Sequence, residues 1–260
     1  MAITADYQGN IRSTTFGAST NYPIYTSGIA GLGIPAVRNV AAPRGFGHGS
    51  ASGLERLQPR TIRIPFKLTA STAAAVQGYV DALKAAFGPS DSELELTLRI
   101  PGTPDTVMSY FGRPRPLTVK QSLLAVGVSD VLASFDALDP LAYGAAETDD
   151  NNSGSFTVTN SGDAVSDRCT ITITSTAAKP TIKNGTAAGD PTITWGTTLS
   201  NGTVRVIDLR AGTVATAGGV DKTDELLNAS SRFWSLESGG NSIVTTNISD
   251  ADFSFRSAWY

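Results

Sequence analysis

A polar break in mid-chain constrains the fold more than any other feature. The stretch VLASFDALDPLAYGAAETDDNNSGSFTVTNSGD, residues 131–163, reads as a strand stopping at Asp139-Pro140, a polar run, and a new strand ending in a turn. Proline fixes its own φ and pushes the preceding residue out of the helical region, so Asp139-Pro140 closes the first unit. Glu147 to Gly154 offers almost nothing to bury and reads as an exposed connection. The expectation is two domains, residues 1–145 and 146–260, the second entirely β.

A chain of 260 residues has room for two ordinary domains. No apolar run approaches the roughly 20 residues of a membrane helix, and no membrane partner is expected. The start MAITADYQGNIRS lacks a basic n-region and an apolar h-region, so the expectation is no signal peptide. The formal charge of −3 divides unevenly: residues 1–145 carry 12 basic and 10 acidic side chains, residues 146–260 carry 8 and 13. Neither balance suits nucleic-acid binding. Residues 38–67 hold Arg38, Arg44, Arg56, Arg60, Arg63 and Lys67 against Glu55 alone. This is either a solvated strand-and-loop face or an electrostatic contact with an acidic protein neighbour, and phosphate binding ranks third. Arg56, Arg60 and Arg63 are the candidate subunit-contact residues.

The first 58 residues are Gly-, Ser-, Thr- and Pro-rich and weakly periodic; they read as irregular strands that order against a neighbour rather than build a core. RTIRIPFKL (60–68) alternates as a half-buried strand. The one convincing helix follows, capped by Ser71 or Thr72, with Val76, Val80, Leu83 and Phe87 at helical spacing and Gly88-Pro89 beyond. Strands are expected at 93–100, in TVMSYFG and at roughly 126–137, with GRPRP (112–116) a stiff tract between. One helix among strands makes this half α+β. The second half reads as about eight short strands, among them RFWSLE (232–237), with turns at Asn184-Gly185 and Asn201-Gly202, and hence a β-sandwich.

A catalytic reading finds few reagents. His48, the single histidine, sits in GFGHGSASG with nothing to orient it. Cys169, the single cysteine, alternates with threonines in RCTITITS and reads as a buried small apolar group, so no disulfide or thiolate metal site is expected. Asp136 and Asp139 form a tempting carboxylate pair, but Asp139 is better explained as the residue before Pro140. Gly31-Leu-Gly33-Ile-Pro-Ala36 matches a dinucleotide fingerprint without the βαβ unit it requires. Asp149-Asp-Asn151-Asn-Ser153-Gly154 imitates a calcium loop, yet its twelfth position is Asn160 rather than glutamate. No catalytic residue, cofactor or metal is expected. Trp195 and Trp259 fall in phase with apolar neighbours; Trp234 and Tyr260 are the candidates for exposure and thus for glycan contact.

The first half ends in Phe135-Asp-Ala-Leu-Asp139-Pro140-Leu-Ala-Tyr143, preceded by Gly112-Arg113-Pro-Arg115-Pro116. The second adds Thr159-Asn160-Ser-Gly162-Asp163, Pro180-Thr-Ile182-Lys-Asn184 and Trp234-Ser-Leu236-Glu-Ser-Gly239-Gly240-Asn241-Ser-Ile243. In this order they resemble the distal tail proteins of long-tailed, siphovirus-type bacteriophages. The resemblance implies a mainly β chain with one α-helix: an N-terminal α+β, split-barrel-like ring domain followed by a galectin-like β-sandwich. It also implies a non-enzymatic homo-hexamer in the virion tail tip, assembled in the host cytoplasm. Its implied partners are the tail tube protein, the tail hub protein and receptor-binding proteins. The alternative is a carbohydrate-binding tail or surface protein with a lectin-like second domain.

Overall fold

The computed structural model describes residues 8–17, 20–25, 27–39, 42–43, 50–51, 55–100, 106–120, 127–227 and 230–260. By contact the chain forms two compact units, Met1–Ala142 with Tyr260, and Tyr143–Trp259. In chain order the first unit holds β1 (Gln8–Ile11), β2 (Thr14–Gly17), β3 (Val37–Asn39), β4 (Ala42–Pro43), β5 (Ser50–Ala51) and β6 (Glu55–Leu57). It continues with β7 (Arg60–Thr69), α1 (Ala73–Ala86), β8 (Leu94–Ile100), β9 (Thr106–Lys120) and β10 (Val128–Ala137).

The main sheet of this unit runs β7-β10-β9-β8-β1-β2, antiparallel throughout. Alternation along β7 buries Ile62, Ile64, Phe66 and Leu68, as the sequence requires. The helix starts where expected: the Ala75 N–H donates to Thr72 Oγ1 at 3.2 Å, and Val76, Val80 and Leu83 face inward. Arg12, at φ +53, donates to the carbonyls of Ala85, Gly88 and Pro89 and so caps the other end of α1. Phe16 on β2 and Phe66 on β7 lie at opposite ends of the strand order, yet their ring centroids are 5.4 Å apart. Both rings meet Phe87 at 6.2 Å, just past the helix, and α1 packs on β2, β7 and β10. Strands so far apart in the order can meet only if the sheet curls on itself, with α1 filling the gap. The result is a split barrel.

Two expectations are corrected here. The GRPRP tract is not a separate spacer but the middle of β9. Its pairing with β10 slips between Leu132 and Ser134, so the prolines sit beside a β-bulge, where a missing N–H is tolerated. The N-terminal segment also contributes to a core: Ile11 and Phe16 are fully buried. Strands of four residues are too short to show their period, and Gly9 is the only residue that leaves room for the Phe16 ring.

The second unit holds β11 (Ala142–Asn152), β12 (Ser155–Asn160), β13 (Cys169–Ser175), β14 (Thr181–Asn184) and β15 (Thr192–Thr194). It ends with β16 (Val204–Asp208), β17 (Thr213–Ala215), β18 (Gly239–Thr246) and β19 (Ile248–Trp259). Two sheets, β17-β16-β13-β19-β11 and β12-β18-β14-β15, form a sandwich. Their inner faces meet in one core that includes Ile171, Ile173, Ile207, Phe253, Val158, Ile182, Ile193 and Ile243. Among the described residues the fold is mainly β with one α-helix, as expected.

Here too the sequence misled in places. The polar run Glu147–Asn152 belongs to β11, beside β19, and only Ser153-Gly154 turns, with Gly154 at φ +74. Ladder pairing satisfies the backbone whatever the side chains, so polarity alone does not make a loop. RFWSLE forms no strand; Leu236 makes an isolated bridge with Ser166, and Arg232 N donates to Thr192 O of β15 at 2.9 Å. Asn184-Gly185 is no tight hairpin, because β15 begins only at Thr192. Asn201-Gly202 does turn, with Gly202 at φ +76 and Thr203 N–H donating to Ser200 O at 3.1 Å.

One ion pair of this unit is bidentate and partly shielded from solvent. Arg205 donates from Nε and Nη2 to the two Glu225 oxygens at 2.8 Å each, with side chains 12% and 16% exposed. Those bonds hold the Glu225 carboxyl below its usual range, although burial pushes the other way. A carboxyl depressed in the folded state contributes stability that is present above its unfolded pKa and lost as pH falls through the folded one. Glu225→Gln is therefore expected to lower stability by about 2 kcal/mol near neutral pH. That gap to wild type should close as the medium drops below about pH 4. Thermal melts across this range read the effect; a gap independent of pH would contradict it.

Candidate functional site

The three motifs of the second half converge on buried amides. Asn160, Asn184 and Asn241, at strand ends or facing the core on β12, β14 and β18, are each 0% exposed. Asn160 Nδ2 donates to Ala164 O at 2.8 Å and Leu236 O at 3.2 Å, and its Oδ1 accepts from Gly162 N and Ala258 N. Asn184 Nδ2 donates to Asn241 Oδ1 at 3.1 Å, while its own Oδ1 accepts from Thr186 N and Ala187 N. Asn241 Oδ1 also accepts from Glu237 N, and its Nδ2 donates to Glu237 O and Gly239 O. Every polar atom of these side chains is engaged with protein, so the cluster is structural: it ties irregular segment 234–238 to both sheets.

The basic residues divide. Arg56 and Arg63 are exposed, on β6 and β7. Arg60 is 6% exposed and faces inward, a correction to its place among the surface candidates. Its Nη1 donates to Gly33 O at 3.2 Å, and its guanidinium lies 5.4 Å from the Tyr110 ring centroid. Burial lowers its pKa from the ordinary value, partly offset by Tyr110 and Asp139. Arg60 thus fastens the Gly31–Gly33 loop to β7. Gly31, at φ +89, runs so close that a Cβ there would lie 2.2 Å from Thr61 O. The apparent dinucleotide fingerprint is a backbone close approach.

The other candidates also resolve into structure. Trp234 is 6% exposed and stacks on Phe253 with centroids 6.5 Å apart, so it offers no open ring face to a sugar. The indole is spent on the core, which corrects the expected exposure. Tyr260 is 48% exposed. Asp136 accepts from Arg115 Nε at 2.6 Å and from Thr61 Oγ1 at 2.7 Å. Burial pushes its carboxyl up, but these bonds outweigh it and the net shift is downward. Asp139 Oδ1 accepts from Leu141 N at 3.2 Å across Pro140. Cys169 is buried, and burial pushes its thiol up, away from the reactive thiolate. His48 lies outside the described residues. The calcium-loop imitation is the end of β11 and its turn.

Residues 162–259, which contain Gly162, Asn184, Trp234 and Asn241, match the family of siphovirus-type tail components, C-terminal domain. That match lies within the sandwich unit and not the first unit. The chain's fold matches the crystal structure of Dit (gp 19.1) of phage SPP1, described as a paradigm of the hub adsorption apparatus in phages infecting Gram-positive hosts. That match has a TM-score of 0.75 at 18% identity and covers 96% of this chain and 98% of that one. Structures of the phage p2 baseplate in its activated conformation, with Ca and with Sr, match at TM-scores of 0.58 and 0.55. Their identities are 8% and 9%, and each match covers 96% of this chain and 97% of the other. No curated protein matches. The family match over the second half and the fold match over nearly the whole chain both agree with the resemblance to distal tail proteins.

Proposed function

We propose that this protein is a structural component of a siphovirus-type phage tail tip that assembles in the host cytoplasm into a homo-hexameric adaptor ring. The ring joins the tail tube to the hub and gives receptor-binding proteins a point of attachment. The observation that carries this reading is the end-to-end fold match to Dit of SPP1, which includes both the split-barrel unit and the sandwich. In this reading residues 1–145 build the ring, residues 146–260 lie at its periphery, and the protein has no catalytic activity. Exposed Arg56 and Arg63 face a neighbouring copy; buried Arg60 supports their strand from beneath. A ring follows when one patch meets a different patch on the next copy and the rotation closes.

Light scattering with negative-stain imaging of the purified protein tests it. Six-fold rings with a central channel are expected. Arg56→Glu combined with Arg63→Glu should shift the population towards monomer with an unchanged melting temperature. A strict monomer at every concentration, even with tube and hub proteins present, would overturn the reading.

A further inference from the structure

A hollow of about 360 Å³ opens on the outward face of β7, β10 and β9, with Tyr25, Pro65, Thr118, Lys120, Asp130 and Leu132 among its lining residues. Strand register places them. Leu132 stands between Pro65 on β7 and Thr118 on β9, and Asp130 stands between Lys67 and Lys120 one row along. Cross-strand partners share a face, so an apolar row lies beside a charged one. Tyr25 closes the side: its N–H donates to Pro65 O at 2.7 Å, and Lys67 Nζ lies 5.6 Å from its ring centroid. Tyr25 is 41% exposed and Leu132 37%, although the outward face of such a sheet ordinarily carries polar side chains.

The charge around the hollow is one-sided. Where the three strands pair, Arg63, Lys67, Arg113, Arg115 and Lys120 take outward positions against Asp130 and Asp136. Arg115 and Asp136 neutralise each other at 2.6 Å. Among the described residues Lys67, Lys120 and Asp130 make no ion pair, so two ammonium groups outnumber one carboxylate at the rim. A bare polyanion would leave the apolar row unused, whereas an acidic segment with an apolar residue uses both rows. In an extended chain, residues two apart point the same way at roughly 6.6 Å, the step from Pro65 to Lys67. An apolar side chain seated on Leu132 therefore brings a carboxylate two residues away to the lysines.

We propose that the hollow receives an extended acidic segment of another protein, with an apolar side chain against Leu132 and Pro65 and a carboxylate at the Lys67–Lys120 row. The contact goes beyond the ring reading. Arg63, which that reading turns towards a neighbouring copy, lies on the other side of Pro65 and is not among the lining residues.

A fluorescent peptide titrated with the full chain tests it: phenylalanine at the centre, glutamate two positions to either side and threonine elsewhere. Its symmetry lets it dock in either direction. Anisotropy should rise to saturation with the wild type, and a peptide with lysine in place of glutamate should not bind. Lys67→Gln with Lys120→Gln should weaken binding roughly tenfold or more, with melting like wild type. Leu132→Ser, which removes the apolar seat from an exposed position, should weaken it by about as much. No saturable binding to the wild type would overturn the proposal, as would equal binding of the lysine peptide. Binding untouched by Leu132→Ser, or an oligothymidylate that displaces the peptide and holds the Leu132→Ser protein as tightly as wild type, would mark a bare cationic surface and overturn it too.

Discussion

Gly162→Ala is expected to unfold the sandwich unit. A Cβ at this position would lie 1.8 Å from Ala258 O, 2.5 Å from Ala258 C and 2.7 Å from Ala258 N. The obstacle is backbone, and it belongs to β19, which is held on both sides by β13 and β11. Gly162 cannot withdraw easily either, because its N–H donates to buried Asn160 and its carbonyl accepts from Ser238 Oγ at 2.7 Å. The expected loss is about 3 kcal/mol or more, the upper end of what overpacking does. Gly78→Ala is the control: the space around Gly78 is open, it lies inside α1, and alanine there should stabilise by about 1 kcal/mol. Denaturant melts of both variants read the difference. A Gly162→Ala chain that melts like wild type would show that β19 yields, contrary to this account.

Asn241→Ala should cost about as much by a different route. The side chain meets four groups: the N–H and the carbonyl of Glu237, the carbonyl of Gly239 and the amide of Asn184. Truncation strands them in a fully buried site, and each unsatisfied group costs about 1–3 kcal/mol before the structure relaxes. A loss of about 3 kcal/mol or more is expected, together with early opening of segment 234–238, visible as faster amide exchange at Glu237. Because Asn184 and Asn241 are bonded directly, the double variant should lose less than the sum of the single ones, with a coupling of at least about 0.5 kcal/mol. Strict additivity would contradict the bond's role.

The fold was legible wherever a period could show itself. β7 runs for ten residues and α1 for fourteen, and both appear where their patterns place them, with the helix cap. β1, β2 and β15 are three or four residues long, so their membership in a sheet is decided by partners distant in sequence. The polar residues of β11 conceal a strand because ladder hydrogen bonds leave no trace in side-chain hydropathy. The site was legible in part. The asparagine motifs carried the resemblance to distal tail proteins, but their meaning, a buried network linking residues as much as 98 apart, is a three-dimensional fact. Charge sign flagged the arginines of residues 38–67 without telling the buried Arg60 from the exposed Arg56. Trp234 failed as a sugar contact for the same reason: an irregular segment gives no phase from which to read its facing.

Immunogold labelling of intact particles with antibodies against this protein tests the central claim most directly. The account predicts gold confined to the end of the tail farthest from the capsid. Gold along the length of the tail or on the capsid would contradict it.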